Sequence, residues 1–96
     1  REGGYVVAWA HLLYAGVADR RGDAGGCVTH LREAAALSER YGMTFHRAVA
    51  ARRLAARTTG EESVRWRQES DRWMRAQRVQ DPARMADILA PGFDDP

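Results

Sequence analysis

The sequence predicts an all-α domain of about five helices, arranged as antiparallel hairpins. Three observations carry that expectation. Glycine and proline fall almost wholly at boundaries, at Gly3-Gly4, Gly22, Gly25-Gly26, Gly42, Gly60, Pro82 and Pro91-Gly92, and cut the chain into five helix-length pieces. Alternation of period two is missing and β-branched residues are few, so no segment reads as a strand. The 96 residues are 45% hydrophobic and 29% charged, which suits one core and leaves little room for a deep catalytic cleft.

The first piece, from about Tyr5 to Arg20, divides by size rather than by polarity. At 100° per residue Tyr5, Val6, Trp9, Leu12, Leu13, Tyr14 and Val17 form a bulky arc, and Ala8, His11, Ala15 and Ala18 a small one. A helix apolar on both sides is expected to be covered on both sides. The second piece follows Asp23 as N-cap and runs to Tyr41, with Gly42 as the left-handed residue past its end. Cys27, Leu31, Ala34, Ser38 and Tyr41 share its apolar face.

The third piece, Met43 to Thr58, is again apolar on two sides, with His46, Arg53 and Arg57 as its polar stripe. Thr59 and Glu62 have the spacing of a capping box for the fourth helix. That helix is expected to bury Trp66, Ser70, Trp73, Met74 and Gln77, and to pair Glu61 with Arg65 and Asp71 with Arg75 along its outer face. Asp81-Pro82 reads as N-cap and first residue of a short fifth helix with Met85, Ile88 and Leu89 as its stripe. Residues 1–93 are thus expected to form one domain, with hairpins 5–41 and 43–80 and a capping helix 82–90. Residues 94–96 follow as a loose tail, and Phe93 is placed to tuck back onto the fifth helix.

Both hairpins join a two-faced first helix to a one-faced second helix. An offset of 35 aligns Leu13 with Ala48, Tyr14 with Val49 and Leu31 with Trp66, close to the period of tetratricopeptide repeats. The chain therefore resembles a fragment of a tetratricopeptide-like right-handed solenoid, and a closed four- or five-helix bundle is the other arrangement of the same helices. A further resemblance lies in Ala50-Ala51-Arg52-Arg53-Leu54, the Gly-Glu-Glu turn, Asp71-Arg72-Trp73-Met74-Arg75-Ala76-Gln77, Asp81-Pro82-Ala83-Arg84-Met85 and Leu89-Ala90-Pro91-Gly92-Phe93. Residues 43 to 93 are similar to the extreme C-terminus of large bacterial signalling proteins, in which a serine/threonine protein kinase is joined to an ATPase module and then to helical repeats. The resemblance implies a terminal repeat region whose catalytic domains lie upstream. The start at Arg1 rather than Met fits a piece of a longer polypeptide.

No activity passes to these residues. The kinase Gly-rich loop, the catalytic-loop Asp and the Gly-Lys-Ser/Thr phosphate loop are missing, and Ser38, Ser63 and Ser70 sit mid-helix with no nucleophile elbow. His11, Cys27, His30 and His46 fall on three helices without the short spacings that organise zinc, so neither metal nor cofactor is expected. Cys27 has no second cysteine to pair with, and a reducing cytoplasm is the expected compartment. The longest apolar run, Tyr5 to Ala18, is shorter than the roughly 20 residues that cross a bilayer.

All fifteen basic residues are arginine. Residues 1–59 hold nine against five acids and residues 60–96 six against eight, and no acid lies between Arg40 and Gly60. His46, Arg53 and Arg57, flanked by Arg47 and Arg52, are therefore the candidate partner-binding groove, suited to an acidic protein segment or to upstream domains of the same polypeptide. Internal pairing with Glu39 or Glu61 is the other use of these arginines. A net charge of +2 supplies too few phosphate contacts for nucleic acid. A homodimer meeting through the small alanine arc of the first helix is the structural alternative to a binding module.

Overall fold

A computed structural model describes residues 2–93 and 95, with Glu2 as backbone only. It contains α1 (Glu2–Arg20), α2 (Ala24–Arg40), α3 (Thr44–Arg57), α4 (Gly60–Ala76) and α5 (Pro82–Leu89), and the described residues include no strand. α1 begins ahead of its expected start and takes Gly3-Gly4 into its first turn. Gly4 permits this because the Tyr41 ring lies directly over its backbone, where any side chain would overlap it.

Three helices end in the same hydrogen-bonded reversal. The amides of Asp23, Met43 and Val79 donate to the carbonyls of Ala18, Ser38 and Met74 at 2.8, 2.8 and 2.9 Å, and the residue before each amide is left-handed: Gly22 (φ 76°), Gly42 (φ 70°) and Arg78 (φ 57°). Two of the three are glycine, which adopts this conformation freely. Arg78 adopts it at a cost of about 1–2 kcal/mol, part of which glycine would return as lost chain entropy. Arg78→Gly is therefore expected to raise stability by about 0.5–1 kcal/mol in urea unfolding. A loss instead would show that the Arg78 side chain contributes a contact of its own.

Short connections make α1/α2, α2/α3 and α3/α4 antiparallel pairs, each packed on its neighbour in sequence, with no comparable contact between α1 and α4. α1 and α3 consequently run parallel on either side of α2. Leu12, Ala15, Leu31, Val49, Ala50, Leu54 and Met74 meet in the core, joined from the C-terminus by Ala86, Ala90 and Phe93. The preponderance of alanine allows close approach of the backbones. α3 is buried around most of its circumference, from Ala48 to Ala55.

α1 is not. Its small arc, Ala8, Ala15 and Ala18 with Gly16, packs inward, while Val6, Trp9, Leu13, Tyr14 and Val17 are exposed. The expectation of cover on both sides fails because the bulky arc is touched only at its margins, by Tyr41, His30 and the Leu89 carbonyl, and Leu12 alone of it turns inward. For the same reason the alanine arc is unavailable to a second copy.

α4 is covered mainly by α3, so Ser70 and Met74 are buried while Trp66 and Trp73 lie half-buried at the margin and Gln77 is exposed. Trp73 stacks on Phe45 with centroids 5.4 Å apart. The expected capping box does not form: Thr59 makes no side-chain cap, and Glu62 instead accepts from Nε and Nη2 of Arg32 (3.1 and 2.8 Å) and from the Trp66 indole (3.1 Å). Charge-assisted pairing across helices outcompetes the local cap. The ion pairs likewise run between elements rather than along α4. Asp23 and Asp81 do cap their helices, accepting from the amides of Gly26 and Arg84 at 2.9 and 3.1 Å. α5 buries Ala86 and leaves Ile88 exposed, contrary to its expected stripe.

Candidate functional site

The groove between α1 and α3 is filled by the chain's own C-terminal segment. Pro91 ends α5 and Gly92, at φ 94°, turns the backbone across α1. Gly16 makes the passage: a Cβ there would stand 2.5 Å from the Pro91 carbonyl oxygen. The Trp9 indole N–H donates to the Leu89 carbonyl at 3.4 Å.

Beyond the turn, Phe93 is buried and the guanidinium carbons of Arg53 and Arg57 lie 4.5 and 4.6 Å from its ring centroid. Arg53 is 0% exposed. It donates to Asp87 (2.8 Å), to the Ala90 carbonyl (2.9 Å) and to Asp95 (3.2 Å). Arg57 grips Asp95 with both terminal nitrogens at 2.6 and 2.5 Å, and its Nε donates to Asp19 at the end of α1 (3.0 Å). Burial works against the Asp95 carboxylate, but Arg57 and Arg53 outweigh it and hold its pKa below the ordinary range. Burial likewise opposes the Arg57 charge, and the hydrogen bonds to Asp95 and Asp19 reverse the effect, raising its pKa. Asp95, expected in a loose tail, is thus a fixed ligand of α3. Asp94 and Pro96 lie outside the described residues.

The five residues expected to line one groove are divided. Arg53 and Arg57, one turn apart on α3, face the C-terminal segment. Arg47 turns to the opposite side, where it donates to Glu69 (2.6 and 3.1 Å) and the Ala35 carbonyl (3.1 Å), pairs with Glu39 (3.0 Å) and lies over Trp66. The internal pairing foreseen with Glu39 occurs there, whereas Glu61 takes no arginine of this set. His46 is half-buried beside Phe45, and burial lowers its pKa. Arg52 is half-buried along α3. Sequence reasoning missed Gly16, Asp19, Asp87 and Asp95; Phe93, placed to tuck back onto the fifth helix, is buried with Ala86 and Ala90, but its seat under Arg53 and Arg57 was not foreseen. One signal was present: the terminal Phe-Asp-Asp run complements the acid-free arginine stretch from Arg40 to Gly60.

Of the four candidate metal ligands, the structure brings two together. His11 and His30 face each other through Nδ1 at 2.9 Å, beside the Tyr14 ring. Cys27 instead turns to Asp19, Sγ to Oδ1 3.8 Å, and burial pushes its thiol pKa up to about 11. Among the described residues no group of three ligands is assembled. Burial lowers the His11 pKa, the His30 charge adds to the effect and Glu33 opposes it. Below the unfolded pKa of about 6.5 the unfolded chain binds the proton more readily than the folded one. Stability is therefore expected to be complete above that pH and to fall as pH drops below it, with His11→Gln flattening the decline. Chemical denaturation at pH 7.5 and 5.5 checks this, and equal midpoints would contradict it.

No helix of the structure is long and apolar enough to cross a membrane. No family model matches the chain, and no curated protein and no solved structure matches it either.

Proposed function

We propose that the chain is a non-catalytic helical-repeat module for protein recognition, tetratricopeptide-like in its stacking. Its α1/α3 groove takes a segment in which an aromatic ring is followed two residues later by a carboxylate. The observation that carries the reading is the occupant already there: Phe93 under two guanidiniums and Asp95 gripped by both. A planar guanidinium serves both halves of such a ligand, since it stacks on an aromatic face and forks onto a carboxylate. Sequential packing of α1 to α4, with α1 and α3 parallel and no comparable contact between α1 and α4 among the described residues, supports an open stack over a closed bundle.

The groove's charged side chains are ion-paired to the segment they hold, which supports binding. The C-terminal segment then acts as a resident occupant at a local concentration on the order of millimolar, and a partner protein, or an upstream domain of the same polypeptide, must displace it. Within the larger reading, a terminal repeat region of a bacterial signalling kinase/ATPase, such an occupant is an internal regulator. That larger reading rests on the resemblance of residues 43 to 93.

The test uses a peptide with the sequence of residues 90–96, titrated calorimetrically into the full chain carrying Phe93→Ala and Asp95→Asn. Saturable binding is expected, lost when Arg57→Gln is added and about tenfold weaker with the unaltered chain. An opened groove that ignores the peptide overturns the reading.

A further inference from the structure

Nine large apolar side chains stand exposed among the described residues, and seven of them belong to α1. They are ordered. Val6, Ala10, Leu13 and Val17 follow a spacing of four, three and four, which sets them in one straight seam, and Trp9 and Tyr14 flank it. No Asp, Glu or Arg interrupts the helix between Gly3 and Ala18. The seam lies opposite the alanine arc that packs on α2, and Trp9, whose indole reaches the Leu89 carbonyl, marks its border with the C-terminal segment.

We propose that this face binds the same face of a second copy, giving a two-fold dimer in which α1 runs antiparallel to its counterpart. An axis beside residues 11 and 12 brings Leu13 against the partner's Ala10 and Val6 against the partner's Val17, so that a large side chain meets a small one at the centre. The exposed surface of the seven residues is on the order of 600 Å². That is at the upper end of the largest apolar patch on a typical monomer, about 300–600 Å². Two copies would bury at most about 1,200 Å² from these side chains, the lower bound of a stable interface, so a reversible dimer is the expected form.

Charge decides the symmetry. Head-to-tail stacking would lay α1 on the outer face of α4, where Arg65, Arg67, Arg72 and Arg75 are exposed, and their guanidiniums would lose water to an apolar surface. Only the self-complementary arrangement covers both apolar faces and closes after two copies. It uses none of Arg53, Arg57, Phe93 and Asp95.

Sedimentation equilibrium of the full chain is expected to show a reversible monomer–dimer system that stops at the dimer. Leu13→Glu should weaken it at least about tenfold while leaving the far-ultraviolet dichroism of the monomer unchanged, because Leu13 is exposed. Register is read by disulfide formation, for which the buried Cys27 thiol is a poor competitor: an Ala10→Cys chain mixed with a Leu13→Cys chain should cross-link faster than Val6→Cys with itself. A monomer at every concentration overturns the proposal, as do species larger than a dimer, a dimer indifferent to Leu13→Glu, or preferential Val6→Cys self-linkage.

Discussion

Arg53→Met is expected to lower the free energy of unfolding by about 2–4 kcal/mol. Methionine keeps most of the apolar stem but removes every donor that Arg53 directs at Asp87, Asp95 and the Ala90 carbonyl. Removing one partner of a buried ion pair typically costs about 3–5 kcal/mol, because the other charge is left without compensation. The lower part of the range applies here. The Asp87 side chain is 55% exposed and returns to water, and Asp95 retains Arg57. What remains is the unpaired Ala90 carbonyl and the lost contact with the Phe93 ring. As a control, Arg65→Met on the exposed face of α4 should stay within about 0.5 kcal/mol. Urea unfolding separates two routes to the loss. If the whole domain weakens, the midpoint falls at constant slope. If residues 90–95 undock first, the slope of the main transition falls as well, since less surface remains to be exposed. A change under about 1 kcal/mol would show that this arginine does not couple α3 to the C-terminal segment.

The contrast between what the sequence disclosed here and what it hid follows the range of the forces involved. Gly22, Gly42, Asp23 and Asp81-Pro82 mark helix ends through interactions among residues a few positions apart, so local chemistry reveals them, and the all-helical class follows. Arg53 and Arg57 were found as a polar pair one turn apart, but periodicity within a helix reports only which residues share a face. Their burial depends on Phe93 and Asp95, some forty positions away, and the tail could reach them only because Gly16 leaves room for the Pro91 carbonyl. An interior glycine in an otherwise apolar helix was the local trace of that crossing. The Thr59–Glu62 box failed from the same cause. The spacing reports only that Thr59 and Glu62 could reach local amides, and a bidentate pair with Arg32, from another helix, takes the Glu62 carboxylate instead.

The sharpest test of the architecture uses two adjacent leucines of α1. Leu12→Ala is expected to cost about 2–5 kcal/mol and Leu13→Ala less than about 1 kcal/mol in the monomer. Leu12 is 0% exposed and packs with Leu31 and Leu54, so its truncation leaves a cavity among neighbours that close only in part; Leu13 is 40% exposed and already touches water. A helix apolar on every side offers no contrast from which its inner face can be read, and both leucines fall in the bulky arc. Tertiary structure resolves the ambiguity by putting the small residues inside, because α2 and the crossing at Gly16 require close approach of backbones, and only Leu12 reaches far enough around the helix to join them. Equal costs at the two positions would place a neighbour on the outer face that the fold does not contain. A Leu13→Ala cost that grows with protein concentration has a different meaning: association through that face adds to the stability of the folded state by mass action, so the same leucine would be dispensable in the monomer and valuable in the dimer.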